Sequence, residues 1–435
     1  MRTGRKMSAV AAGVAALSLV LAACSSDDDG SKNDSTGGTG GGDASEVEVF
    51  TWWASGSEKL GLDALVKVFD EQHPDTKFVN GAVAGGAGSA AKDLLQSRLQ
   101  AGDPPDTFQA HAGAELSDYI DAGQVEDVSA LYDEFGLRDA FPKDLVDRLT
   151  VDGKIYSVPT NIHRANVVWV NTDVLSSAGI DPTAAPASID AWIADLEKLR
   201  QAGVATPLSV GMEWTQLHLF ETVLIAELGP DAYNGLFDGS TAWDSAGVSS
   251  AIEKFGTLLD YTNADAASLD WDGATQYVLD GDAGYNVMGD WAEAAFAQAG
   301  WTYGTEYTTW AVPGTDGIFD FLADSFVLTV GAPHPESTIS WLTAISSTEG
   351  QKAFNLAKGS IPARTDTVAS DYPAYQQTAI ESWGGDTVVS SIAHGAAASN
   401  AWKADMSSAI GRFVTDGNAD ALQSGLVAAA ASALG

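Results

Sequence analysis

The sequence predicts an α/β protein with a largely parallel sheet, and two observations carry that prediction. From Val47 onward, short strand-like apolar runs alternate with stretches of helical apolar spacing, giving a β-α-β-α-β rhythm. At 435 residues, with 45% hydrophobic and 9% aromatic residues, the chain can bury two or three cores at roughly 150 residues per domain. Such a composition excludes wholesale disorder.

Residues 47–53 (VEVFTWW) alternate as a strand and end in two aromatics. Leu62, Leu65, Val66 and Phe69 then repeat at helical spacing, and Pro74 stops that helix. A second strand is expected at 76–79. The glycine-rich stretch 81–88 lacks the spacing of a dinucleotide-binding turn and reads as the entry to a helix carrying Leu94, Leu95 and Leu99. Gly102-Asp-Pro-Pro-Asp106 precedes a strand at 107–110. Asp152-Gly153 is a hairpin signal with 154–158 as the outgoing strand. Another strand follows at 167–170, before a helix at Leu175. Residues 190–298 are expected to be mainly helical, with amphipathic segments at 192–199, 215–228 and 252–261. Strands return near 284–288, 308–312 and 326–330, and the C-terminus is helical from Asp405.

The 22 basic residues face 59 acidic ones, a formal net charge of −37. Such a chain is repelled by phosphate backbones and anionic headgroups, which excludes nucleic-acid binding. Its single cysteine, Cys24, excludes an intrachain disulfide and a thiolate metal cluster. Arg2, Arg5 and Lys6 precede an apolar run over 8–23 that is short for a membrane span, so 1–23 reads as a secretory signal. The Ser/Gly/Asp-rich stretch 24–45 reads as a flexible tether, about 20 residues of such chain reaching roughly 25 Å. Walker A, H-E-x-x-H, C-x-x-C and G-x-S-x-G motifs are absent. The six histidines lie too far apart in sequence for a compact metal motif, which leaves open a site assembled in three dimensions. No cofactor and no metal is expected.

Leu21-Ala-Ala-Cys24 resembles the bacterial lipobox. The resemblance implies cleavage before Cys24, its acylation, and a lipid anchor on the outer side of the cell membrane. Ordinary signal cleavage leaving a stray cysteine is the alternative.

Four segments, in order, resemble the extracellular solute-binding proteins of ABC sugar importers: Leu99-Gln-Ala-Gly-Asp-Pro-Pro-Asp106, Asp152-Gly-Lys-Ile-Tyr-Ser-Val-Pro159, Val168-Trp-Val-Asn171 with Ala178-Gly-Ile-Asp181, and Asn286-Val-Met-Gly-Asp-Trp291. The resemblance implies a two-lobed periplasmic-binding-protein fold, with a hinge and a ligand cleft between the lobes. Residues 46–160 plus about 325–370 would form one lobe, and 161–324 plus about 371–435 the other. It also implies a substrate-binding component rather than an enzyme, monomeric, that delivers sugar to permease subunits driven by a cytosolic ATPase.

The sequence is most similar to the glucose/mannose-binding branch. Thr51-Trp52-Trp53 with Glu58, and Gln109-Ala-His111, resemble its first two contact segments; Trp271, Trp291, Asp324, Lys358 and His394 align with the later ones. The chemistry of these residue types is independently that of a sugar site. Indoles cover the apolar faces of a pyranose, while carboxylates, lysine and histidine bind its hydroxyl rim. Trp52 and Trp53 are adjacent, so in a strand they face opposite sides and only one can reach a cleft. His163-Arg164 sits at an expected lobe crossover, where it either lines the cleft or locks the hinge. Trp214 and His218, four apart on a helix, read as packing, and His73 and His334 as turn residues. The expected ligand is glucose or a similar hexose. A neutral oligosaccharide or polyol in the same fold is an alternative, followed by a sensor-kinase receptor and a secreted glycoside hydrolase. No carboxylate pair stands out for hydrolysis.

Overall fold

The computed structural model describes residues 45–84 and 88–435. The expected signal, the lipidated Cys24 and nearly all of the tether lie outside these residues, as does the middle of the 81–88 loop.

The predicted rhythm is realised in a five-stranded sheet ordered Lys77–Asn80, Glu46–Phe50, Thr107–His111, Asp324–Val327, Ser157–Pro159. Its first three strands are parallel, joined by the helices Gly56–Gln72 and Ser89–Ala101. The last two make the sheet mixed, because Asp324–Val327 runs antiparallel to both its neighbours. Val47, Val49, Phe69 and Phe108 are buried at the centre of this core. Trp341, on the helix Pro335–Ser346, closes it against Phe69, Phe78 and Phe326 at ring separations of 5.4, 5.5 and 5.8 Å.

A four-stranded sheet, ordered Tyr307–Ala311, Val167–Asn171, Tyr285–Val287, Leu208–Ser209, supports a second core. The helices Ile189–Gln201, Glu213–Asp238, Ala246–Leu259 and Asn400–Asp416 contribute Trp192, Phe220, Phe255 and Trp402 to it. The helix Glu213–Asp238 is buried around most of its circumference up to Ile225, which fits its central place. It kinks at Gly229 (φ 70°) before Pro230, whose ring cannot continue the hydrogen-bond ladder.

A three-stranded sheet of Thr387–Ser390, Ile318–Leu322 and His163–Arg164 adjoins both cores. The chain enters it from the five-stranded sheet through residues 160–162 and leaves it through Ala323. These passages are held together by Thr160 N–H donating to the Asp324 carbonyl and by reciprocal Ile162–Ile361 backbone bonds. Among the described residues no helix is long and apolar enough to cross a membrane.

Several expected bounds move. The strand expected to reach Trp53 ends at Phe50, so Trp52 and Trp53 lie in the loop before the next helix. The outgoing hairpin strand is interrupted at Tyr156. The strand expected at 326–330 is Asp324–Val327, and the last helical region begins at Asn400. Ile318–Leu322 and Thr387–Ser390 were not anticipated: the first carries Asp320 mid-run, and the second is only four residues long.

Candidate ligand-binding cleft

The loop after Glu46–Phe50, the end of Thr107–His111, both chain passages and the 391–394 loop converge on a cavity of about 210 Å³. Trp52, Glu58, His111, Trp271, Trp291, Asp324, Lys358 and His394 all line it. Trp53 and Gln109 do not. Trp53 is fully buried, with its ring 5.4 Å from Phe326 and 4.6 Å from Phe354. Gln109 lies behind the wall, where its Nε2 donates to Asp324 Oδ1 at 2.8 Å and its Oε1 accepts from Thr51 Oγ1. Both are thus supports: Trp53 turns into the core, and Gln109, on the same strand face as His111, lies two residues deeper and is covered by Asp324 and Thr51.

The cavity also draws in residues the sequence left ambiguous or read otherwise. His163 and Trp214 line it, with Ser55, Asp270 and Asp272. Trp214, four residues before His218 on one helix, stacks on that ring at 6.4 Å, as its spacing predicts. Its Nε1 is held by Asp270 Oδ1 at 2.9 Å, which turns the indole toward the opening. The pairing that fixes it spans 56 residues, so local spacing could not reveal it.

Asp324 anchors the charged side of the cavity. Lys358 Nζ donates to its Oδ2 at 2.8 Å, Asn161 Nδ2 at 2.9 Å and His163 Nε2 at 3.2 Å. Burial alone would raise its proton affinity, but Lys358 and His163 outweigh burial and hold it well below the usual carboxylate range. His163 Nδ1 is paired with Asp290. Burial would lower the His163 pKa, but Asp290 and Asp324 raise it. Glu58 is the opposite case: burial pushes its carboxyl up to about 7, Asp324 adds to the rise, and Lys358 moderates it.

His111 Nδ1 lies 2.9 Å from Glu115 Oε2. Lys92 and His111 overcome burial and hold Glu115 ionised, so Nδ1 carries the proton and donates. The unprotonated His111 Nε2 lies at the cavity wall, 3.6 Å from Asp324 Oδ1. Burial keeps His111 and His394 neutral. His394 Nδ1 pairs with Ser391 Oγ at 2.8 Å, while its Nε2 is buried without a partner among the described residues. The aromatic wall is continuous: Trp52 to His111 at 5.0 Å, Trp291 to His163 and to His394 at 5.1 Å each, Trp214 to Trp291 at 6.5 Å. The close approaches need glycine at two points. A Cβ on Gly289 would fall 2.0 Å from the Trp291 ring, and one on Gly88 would fall 2.7 Å from Trp52.

Indole faces around charged and neutral hydrogen-bonding groups suit a polyhydroxylated ligand. Residues 53–352 match the family of bacterial extracellular solute-binding proteins. The chain belongs to this family. It is 37% identical over 374 residues to an uncharacterized ABC transporter extracellular-binding protein of Pyrococcus horikoshii, covering 85% of this chain and 84% of that protein. It is 32% identical over 394 residues to a xylose/arabinose-binding protein of Haloferax volcanii, covering 88% and 84%. A chitin oligosaccharide binding protein of solved structure superposes with a TM-score of 0.78 at 20% identity, over 90% of this chain and 100% of that one, a likeness of fold. The protein is therefore an extracytoplasmic solute-binding protein rather than an enzyme. Its architecture is the two-lobed α/β fold with a ligand cleft between the lobes.

Proposed function

We propose that the cavity captures a single neutral monosaccharide, glucose or a similar hexose, and that hinge closure presents it to the membrane permease. The observation that carries this reading is the size and lining of the cavity together. Its volume of about 210 Å³ falls below the roughly 300–1,000 Å³ typical of drug-sized pockets. Its walls pair indole faces with Lys358, Glu58 and two neutral histidines. The distribution of strands among the sheets supports lobes of 46–160 with about 325–370, and 161–324 with about 371–435, with the hinge at residues 160–162 and Ala323. The lipobox-like segment supports anchoring through an acylated Cys24.

Tryptophan fluorescence titration tests the assignment. Glucose is expected to change the emission of the parent chain, and Trp52→Ala and His111→Ala are expected to abolish that response. Unchanged titration curves in both variants would overturn the site, and a response to xylose alone would overturn the hexose assignment.

One observation favours a longer ligand. Trp214 also borders a groove of about 670 Å³ formed with Glu213, Lys92 and Lys403. A disaccharide could pass that indole, and tighter binding of a disaccharide than of either monosaccharide in the same titration would select this second reading.

A further inference from the structure

Behind the cleft wall, outside the sugar cavity, two acids and a histidine are buried together. His218 and Glu221 lie three residues apart on the helix Glu213–Asp238, and Asp320 sits in the strand Ile318–Leu322. All three are fully buried, and one donor atom from each lies within 4.8 Å of the others. The His218 ring is fixed: its Nε2–H donates to the Ala165 carbonyl at 2.9 Å, which leaves the Nδ1 lone pair free. That Nδ1 and both carboxylate oxygens of Asp320 are buried without a hydrogen-bond partner among the described residues. Buried orphan acceptors are costly, so three around one point need an account.

Glu221 is oriented by an outer set of donors. Ser391 Oγ–H donates to Oε1 at 2.9 Å, and the Ile392 and Ala393 amides donate to Oε2 at 2.6 and 2.8 Å. A carboxylate has about four lone-pair sites, so one remains. The neighbouring cation, Arg164, is committed elsewhere, to Asn166, Ser382, the Ile318 carbonyl and Asp386.

We propose that His218, Glu221 and Asp320 form a binding site for a divalent transition-metal cation of the zinc class. Two carboxylates balance the charge of a divalent ion, and a neutral imidazole nitrogen selects zinc-like metals over calcium or magnesium. Burial favours the neutral imidazole, moving the His218 pKa down to about 4. His218 Nδ1, Glu221 Oε1 and the two oxygens of Asp320 supply four donor atoms. Donors around zinc at about 2.0–2.2 Å are at most roughly 3.6 Å apart in a tetrahedron, so these side chains close by roughly 1 Å on binding. The Ser391, Ile392 and Ala393 donors act as the outer partners that such ligands require. The competing occupant is a single proton shared by Glu221 and Asp320, whose carboxyls are both pushed up by burial.

The test uses the full chain, stripped with EDTA, loaded with zinc chloride and dialysed into zinc-free buffer. Elemental analysis is expected to find one zinc per chain, and thermal unfolding is expected to shift upward with zinc and return with EDTA. Asp320→Asn should lose both effects, while His73→Gln and His334→Gln at the surface should keep them. Cobalt(II) loading reads the parent chain alone, in case the Asn variant does not fold. It should give visible ligand-field bands and quench Trp214, which stacks on His218. Zinc absent from the parent chain, or retained equally by Asp320→Asn, would overturn the proposal, as would a cobalt complex with no quenching.

Discussion

Lys358→Met probes the charged side of the cleft. The ammonium is 2% exposed, 2.8 Å from Asp324 Oδ2 and 4.5 Å above the Trp53 ring. Methionine keeps most of the volume against Trp53 and Phe354 while deleting the charge. At an effective dielectric of about 20, unit charges 2.8 Å apart attract by roughly 6 kcal/mol. Desolvation cancels part of this, and truncating one partner of a buried pair typically costs about 3–5 kcal/mol. That loss is expected in full at pH 8, where Asp324 keeps only Gln109, Asn161 and His163 as donors. At pH 6 it should shrink. Without the competing ammonium, His163 holds its proton more tightly beside Asp290 and Asp324, so the folded variant binds more protons than its unfolded chain. Stability then rises, relative to the parent, as pH falls through the histidine range. Urea denaturation at both pH values measures the difference. A loss below about 1 kcal/mol at pH 8, or an equal loss at both, would refute the pairing argument. Sugar affinity should fall about 10–100-fold, since a charge-assisted bond contributes about 1.5–3 kcal/mol.

Two further outcomes follow from the same geometry. Because the Glu58 carboxyl titrates near about 7, monosaccharide affinity should rise by up to about 10-fold between pH 6 and 8 as it becomes a charged acceptor, and Glu58→Gln should flatten the profile. A flat profile for the parent chain in fluorescence titration would reject Glu58 as a ligand contact. Gly289→Ala should lower affinity by at least about 10-fold, because the new methyl occupies the position of the Trp291 ring while its φ of −65° suits alanine. Far-ultraviolet circular dichroism should be unchanged, and an unaltered dissociation constant would show that Trp291 does not hold the ligand.

The legible parts of the site were those whose chemistry is local. Trp52 follows a strand end and His111 closes one, places from which a side chain can reach a cleft, and both residue types suit a sugar, which is why they could be read from sequence. Which of Trp52 and Trp53 turned outward depended on Phe326 and Phe354, hundreds of residues away. His163 was left between two roles because its partners, Asp290 and Asp324, lie 127 and 161 residues along the chain. In a chain with 59 acidic residues, nothing local marks Glu115, Glu221 and Asp320 as buried. The mixed edge of the main sheet was equally hidden, since Asp324–Val327 returns to it only after all four strands of the second sheet.

The donor and acceptor inventory narrows the ligand further than composition can. Asp324 Oδ2 receives Asn161, His163 and Lys358, while Oδ1 receives Gln109 alone, which leaves Oδ1 a further acceptor site. It therefore both aims Lys358 and can accept from a ligand hydroxyl. Glu58 has no hydrogen-bond partner among the described residues, and the Nε2 atoms of His111 and His394 are acceptors. Lys358 keeps two N–H donors. The cleft thus presents more free acceptors than free donors, inside a strongly acidic particle. A ligand rich in hydroxyls can donate to all of them and still accept from Lys358. A carboxylate or phosphate ester can only accept at its charged end, and would leave the Glu58 and histidine acceptors without donors. The same arrangement that makes the cleft acidic thereby selects for neutrality and hydroxyl density, whichever sugar fits its volume.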